Sequence, residues 1–305
     1  MKTLKSSSTI ELIDPVRSGR RRFLTQAGVL GIGAAAGAFV LSNPRSARAD
    51  ATSSAMSAQQ QAQSMDTVQE IFTAALIAED LATTFYYNGL VGTVIEDPNL
   101  AGPGGSVNNI SSMGNAGNVN YLQAALSEEI SHANLFRSLL GISGPSQDPV
   151  QTFYFPSGAF DSLSAFTGLL DALENAFIGA YLNAIQEFAA KSANRQGNNG
   201  GSLNGSDSHY SATELDYFAK VAASIMGIEA EHRVLGRVIS NTNPANNLAY
   251  EQLDGLNAVY NGPKSAVAAL TPFLTPSTGP GFSLATALAN QGSVSLPVTG
   301  NPPAA

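Results

Sequence analysis

The sequence contains no cysteine, so disulfides, iron–sulfur clusters and thiolate metal sites are excluded at the outset. The fold has to be held by a packed core, alone or helped by bound ions. Histidine is scarce, with three residues in 305, so any two that share a pattern carry weight. Long apolar runs are also missing. Residues 27–41 form a 15-residue stretch rich in Gly and Ala, short of the roughly 20 strongly apolar residues that span a bilayer. Basic residues are few: 15 Lys and Arg against 23 Asp and Glu. Eight of those basic residues and only two of the acids fall within residues 1–49, so the rest of the chain carries a net charge near −14. A surface this acidic argues against nucleic-acid binding, whose affinity comes mainly from Lys and Arg on phosphates. It favours solubility and loosely attracts cations.

What is present at the N-terminus has the anatomy of an export signal. Arg20-Arg21-Arg22-Phe23-Leu24 precedes the apolar run, and Ala47-Arg48-Ala49 offers a small-x-small cleavage site before Asp50. Residues 1–49 resemble the twin-arginine class of bacterial signals, with Gly19 where Ser or Thr often stands. The expectation is export through the twin-arginine machinery to the periplasm or the extracellular space. Residues 50–64 then form a flexible mature N-terminus, 65–275 one domain, and 276–305 a disordered Pro/Gly/Ser-rich tail. Leu296-Pro297-Val298-Thr299-Gly300 spells a wall-sorting signal, but only Asn-Pro-Pro-Ala-Ala follows it, so chance in a biased tail explains it better.

Between the ends, four segments have helical periodicity, roughly 66–91, 119–140, 161–190 and 212–240. Asp66 or Thr67 is a plausible N-cap for the first, and Asp161 or Ser162 for the third. Two Glu-x-x-His pairs, Glu129 with His132 and Glu229 with His232, lie 100 residues apart on the second and fourth segments. Two lone glutamates, Glu79 and Glu174, lie 95 apart in the middle of apolar stripes on the first and third. Each is followed seven residues later on its own face by a tyrosine, Tyr86 or Tyr181. The chain therefore reads as a duplicated helical hairpin. Gly/Asn/Ser-rich loops (92–118 and 191–211) close each half, and residues 141–160, with Phe153-Tyr154-Phe155-Pro156, run the length of the bundle between them. Residues 263–274 have the makings of a short capping helix.

Spacing of three places Glu and His a turn apart on one helical face. Four inward glutamates repel one another in an apolar core unless cations sit among them. Two divalent ions balance their four charges. Glutamate and imidazole suit iron or manganese, and carboxylates can bridge two such ions. Four carboxylates and two histidines on four helices are the ligand set of a di-iron or di-manganese carboxylate bundle, so the expected metal ligands are Glu79, Glu129, His132, Glu174, Glu229 and His232. Glu129 and Glu229 are the natural bridges. The fold expected is all-α, a ferritin-like four-helix bundle of two similar hairpins with a long crossover and a short C-terminal helix. Tyr86 and Tyr181 pack in the core or bond metal-bound carboxylates from a second layer. Glu128 and Glu231, off the ligand face, are expected in solvent, and His209 in an exposed loop.

Ala78-Glu79 with Phe85-Tyr86, Glu129-x-x-His132, Phe153-Tyr154-Phe155-Pro156, Leu173-Glu174 with Ala180-Tyr181, and Glu229-x-x-His232 together carry a family resemblance. Over about residues 65–275 the chain resembles the ferritin-like domain proteins that include the desiccation-related proteins of plants and bacteria. That resemblance implies an exported four-helix domain. A homo-oligomer stays open, although the long Gly/Asn loops depart from the compact subunits of cage-forming ferritins. Three functions follow: a di-metal oxidoreductase acting on peroxide or O₂ (ferroxidase, peroxidase or catalase-like), a metal-stabilised stress protein of the cell envelope without turnover, or a structural bundle with a vestigial site. Fold alone does not choose among them.

Overall fold

The computed structural model describes residues 66–196, 207–242, 266–276 and 279–296. The expected signal (1–49) and the expected flexible segment (50–64) lie outside the described residues. Four long helices form the bundle: α1 (Val68–Val91), α2 (Ala116–Leu140), α3 (Leu163–Gln196) and α4 (Ala212–Ile239). Helix α1 packs mainly on α2 and α3 mainly on α4, which makes two hairpins laid against each other. None of the described helices is long and apolar enough to cross a membrane.

Local sequence fixes the helix ends. Thr67 accepts from the Glu70 backbone N–H while the Glu70 side chain accepts from the Thr67 N–H, a reciprocal capping box. Ser211 and Glu214 do the same for α4, and the Asn115 side chain caps α2. The Ser162 hydroxyl accepts from the Ala165 N–H at the start of α3. Helix α2 stops at Gly141, whose φ of 68° lies in the left-handed region where glycine carries no Cβ penalty. Helix α3 runs to Gln196, six residues past the expected end at 190. The polar run Lys191-Ser192-Ala193-Asn194-Arg195-Gln196 reads as loop, but tertiary bonds hold it helical. Lys191 Nζ donates to Asp207 Oδ2 at 2.8 Å, and Arg195 Nε donates to the Tyr210 carbonyl at 2.9 Å.

The core has an aromatic cluster on either side of the bundle's middle. Phe72, Phe136, Phe188 and Phe218 meet at one end. At the other, Phe85 stacks on Phe166 with ring centroids 4.5 Å apart, and Phe155 and Phe160 close around them. A helical rise of 1.5 Å per residue puts Phe72 and Phe85 about 10 Å to either side of Glu79. The connection between hairpins is anchored here, with Phe153 and Phe155 fully buried.

The chain after residue 276 departs from expectation. Gly281–Ser283 (β2) pairs antiparallel with Thr152–Tyr154 (β1) in the register Thr152 with Ser283, Phe153 with Phe282 and Tyr154 with Gly281. A short helix, Leu284–Asn290, then packs on α1 and buries Leu284 and Ala287. The remaining short helix, Ala266–Leu270, falls within the expected 263–274 and packs on α3. A disordered tail over 276–305 is therefore corrected for residues 279–296. Composition misleads at this segment because glycine suggests looseness, whereas here it permits close approach. A Cβ on Gly279 would sit 1.7 Å from the Phe155 carbonyl oxygen, and one on Gly281 would crowd Tyr154.

Candidate metal centre

Midway along the bundle each long helix turns carboxylates inward. Glu79 comes from α1, Glu129 and His132 from α2, Glu174 from α3, and Glu229 and His232 from α4. Glu129, Glu174 and Glu229 have no solvent exposure and Glu79 has 1%. All six expected residues converge, and they do so as two overlapping groups. One is Glu79, Glu129, His132 and Glu229; the other is Glu129, Glu174, Glu229 and His232. In each group one donor atom per residue lies within 4.8 Å of the others.

Glu129 and Glu229 belong to both groups. Glu129 Oε1 is 3.0 Å from His232 Nδ1, and Glu129 Oε2 is 3.8 Å from His132 Nδ1. Glu229 Oε1 is 3.5 Å from His132 Nδ1, and Glu229 Oε2 is 3.3 Å from His232 Nδ1. Each central carboxylate thus spans the two histidines, one oxygen to each. Both histidines present Nδ1 to the centre. The outer glutamates stand one to a side: Glu79 Oε2 is 3.2 Å from His132 Nδ1, and Glu174 Oε1 is 3.9 Å from His232 Nδ1.

The tyrosines cross between halves. Tyr86 of α1 donates its hydroxyl hydrogen to Glu174 Oε1 on α3 at 2.7 Å, and Tyr181 of α3 donates to Glu79 Oε1 on α1. Each tyrosine therefore holds the other half's lone glutamate rather than its own. These bonds occupy one oxygen of each outer glutamate. Among the described residues, both oxygens of Glu129, both of Glu229, Glu174 Oε2 and His232 Nδ1 are buried without a hydrogen-bond partner. Buried polar atoms are nearly always paired, and an orphaned one costs about 1–3 kcal/mol. Six such atoms facing one point fit divalent cations, which would satisfy all of them at once.

Electrostatics agree. Burial pushes the Glu79 and Glu174 carboxyls well above the usual range, and the neighbouring glutamates add to it. Burial also opposes ionisation of Glu129, but contact with His132 and His232 outweighs it and holds that carboxyl well below the usual range. Burial would lower both histidines, yet the surrounding carboxylates raise them well above their ordinary value. The common cause is a shortage of positive charge where four carboxyls meet in a low-dielectric core.

Some of the surroundings were not legible. Glu128, expected in solvent, keeps 40% side-chain exposure but lies 2.8 Å from His232 Nε2. The only hint in the sequence is a break in the repeat, since the residue before Glu229 is Ile228. Beside the centre, Arg137 donates from Nε to Asp148 Oδ2 at 2.8 Å and from an Nη nitrogen to Asp80 Oδ1 at 2.5 Å, all buried. This ties α1 and α2 to the inter-hairpin connection. Glu231 is exposed, and His209 lies exposed against the Tyr210 ring, away from the centre.

Residues 67–196 match the sequence model of the ferritin-like domain. The match takes in α1 to α3, with Glu79, Glu129, His132 and Glu174, and stops before the second Glu-x-x-His pair. No match was found among curated proteins or among solved structures. Helical architecture and matched segment together define a ferritin-like bundle with a carboxylate and histidine cluster at its middle.

Proposed function

We propose that this bundle binds two iron or two manganese ions and uses them in stress-related redox chemistry on peroxide or dioxygen, as a ferroxidase, peroxidase or catalase-like enzyme. The observation that carries the reading is the position of Glu129 and Glu229. They are buried, without hydrogen-bond partners among the described residues, and each is shared by both four-donor groups. They would bridge the ions, with Glu79 and His132 completing one coordination set and Glu174 and His232 the other. When bound, the metal pair supplies and recovers the electrons of the reaction. The protein's own part is to fix the donors: Tyr86 and Tyr181 orient the outer carboxylates, and the aromatic clusters on either side keep bulk water out.

The test is elemental analysis of purified protein with an Fe(II)-oxidation and a peroxide-consumption assay on the same sample. Two ions per chain with multiple turnovers support the reading. Glu129→Ala with Glu229→Ala is expected to abolish stoichiometric binding, and two ions retained by that variant would sink the assignment. The near-complete enclosure of the glutamates favours a second reading, a metal-stabilised desiccation or stress protein without turnover. A loaded protein inert in both assays decides for it. In either case chelation is expected to lower the melting temperature, because ions bound only by the folded state stabilise it.

We also propose export by the twin-arginine machinery, on the strength of the arginine cluster, the apolar run and the small-x-small site near residue 49. Replacing Arg20, Arg21 and Arg22 together with lysine should leave the protein in the cytoplasm on fractionation. Unchanged export would remove that proposal.

A further inference from the structure

The two histidines are not held alike. His232 is 3% exposed, and its Nε2 lies 2.8 Å from Glu128 Oε2. A carboxylate can only accept, so Nε2 carries a hydrogen aimed away from the centre, and Nδ1 is the nitrogen that faces Glu129 and Glu229. The ring is thereby fixed in orientation before any ion arrives. His132 is 13% exposed, and no hydrogen bond reaches its Nε2 among the described residues. The residue that corresponds to Glu128 in the second half of the repeat is Ile228, which can offer none.

We infer that Glu128 is a positioning residue that makes the two ion positions unequal: the His232 side binds first and tightly, the His132 side second and exchangeably. This rests on the two-ion reading above. A carboxylate behind a ligating histidine raises its basicity, and losing such a partner typically weakens metal binding about 10–100-fold. A preset imidazole also loses less freedom on binding than the partly exposed His132. The same asymmetry makes the His132 side the one where ions or small polar molecules come and go.

The experiment is an anaerobic calorimetric titration of metal-free protein with Mn(II), on the wild type, Glu128→Gln and His132→Ala. The wild type is expected to show two separated steps. Glu128→Gln, nearly isosteric and at a partly exposed position, should weaken the first step about 10–100-fold and leave the second in place. His132→Ala should remove the second step and keep the first. Thermal unfolding of each metal-free variant checks that it is folded; a purely structural role for Glu128 would lower both steps together. Two ions bound equally in the wild type, or Glu128→Gln leaving the first step unchanged, overturns the inference while the two-ion site stands. Failure of the wild type to bind two ions overturns both.

Discussion

The α1–α2 hairpin and the α3–α4 hairpin bring the same donors to the centre in the same order, yet the residues behind those donors differ. After Glu79 comes Asp80, and after Glu174 comes Asn175; each accepts from an arginine on its partner helix. In the first half that arginine is Arg137, enclosed between Asp80 and Asp148. Burial raises the Asp80 carboxyl well above its usual range, and Arg137 only partly offsets this. In the second half Arg233 bonds the neutral Asn175, while Arg237 pairs with Asp171 near the surface. The two hairpins thus share what faces the carboxylate and histidine cluster and differ in the polar groups that support it. The lesson is that geometry at the centre is constrained by mutual repulsion of its charges, whereas the layer behind it needs only to be satisfied.

Substitutions in the two halves should separate accordingly. Arg137→Met leaves Asp80 and Asp148 buried without their cation and should cost about 3–5 kcal/mol, whereas Arg237→Ala should cost no more than about 1 kcal/mol, both read by urea unfolding. Equal losses would mean the buried network is not what distinguishes the halves. Next in size are the close-packed glycines. A Cβ on Gly89 would come within 2.4 Å of the Phe166 ring, which is clamped on Phe85, while one on Gly236 meets the mobile end of Leu170 at 2.7 Å. Gly89→Ala should destabilise by about 1–3 kcal/mol and Gly236→Ala by much less.

The crossed tyrosines come next. Tyr86→Phe and Tyr181→Phe should each cost about 1–3 kcal/mol, and each should weaken ion binding on the side of the glutamate it bonds. A Tyr86→Phe variant that instead disturbs the Glu79 side would contradict the crossing. A last effect, read against pH and not as a single loss, belongs to α3 alone. Burial and the nearby Asp66 push Glu187 up to about 8, against a reference of 4.5. The folded protein therefore keeps a proton that the unfolded chain loses, so this group's contribution to stability falls as pH rises from about 4.5 to about 8. Glu187→Gln should flatten that part of a stability-against-pH curve, and an unchanged slope would refute the assignment.

Much was legible from residue spacing. The stripes around Glu79 and Glu174 and the two Glu-x-x-His pairs predicted four helices and the six residues that meet, because helical period and burial of apolar faces act locally. The polar extension of α3 and the ordered segment 279–296 were not legible. Both depend on partners far away in the chain, Asp207 and Tyr210 for one and Thr152–Tyr154 for the other. The contact of Glu128 is hidden in the sequence for a similar reason. Its angle on α2 points away from the ligand face, and only the approach of α4 brings His232 within reach.

The sequence alone determined which side chains face inward, since periodicity and the cost of burying charge leave few other arrangements. Tertiary structure decided which carboxylates are shared, which tyrosine serves which glutamate, and which histidine is braced. Those outcomes depend on the relative placement of two hairpins, and packing between distant segments sets that placement where no local pattern records it.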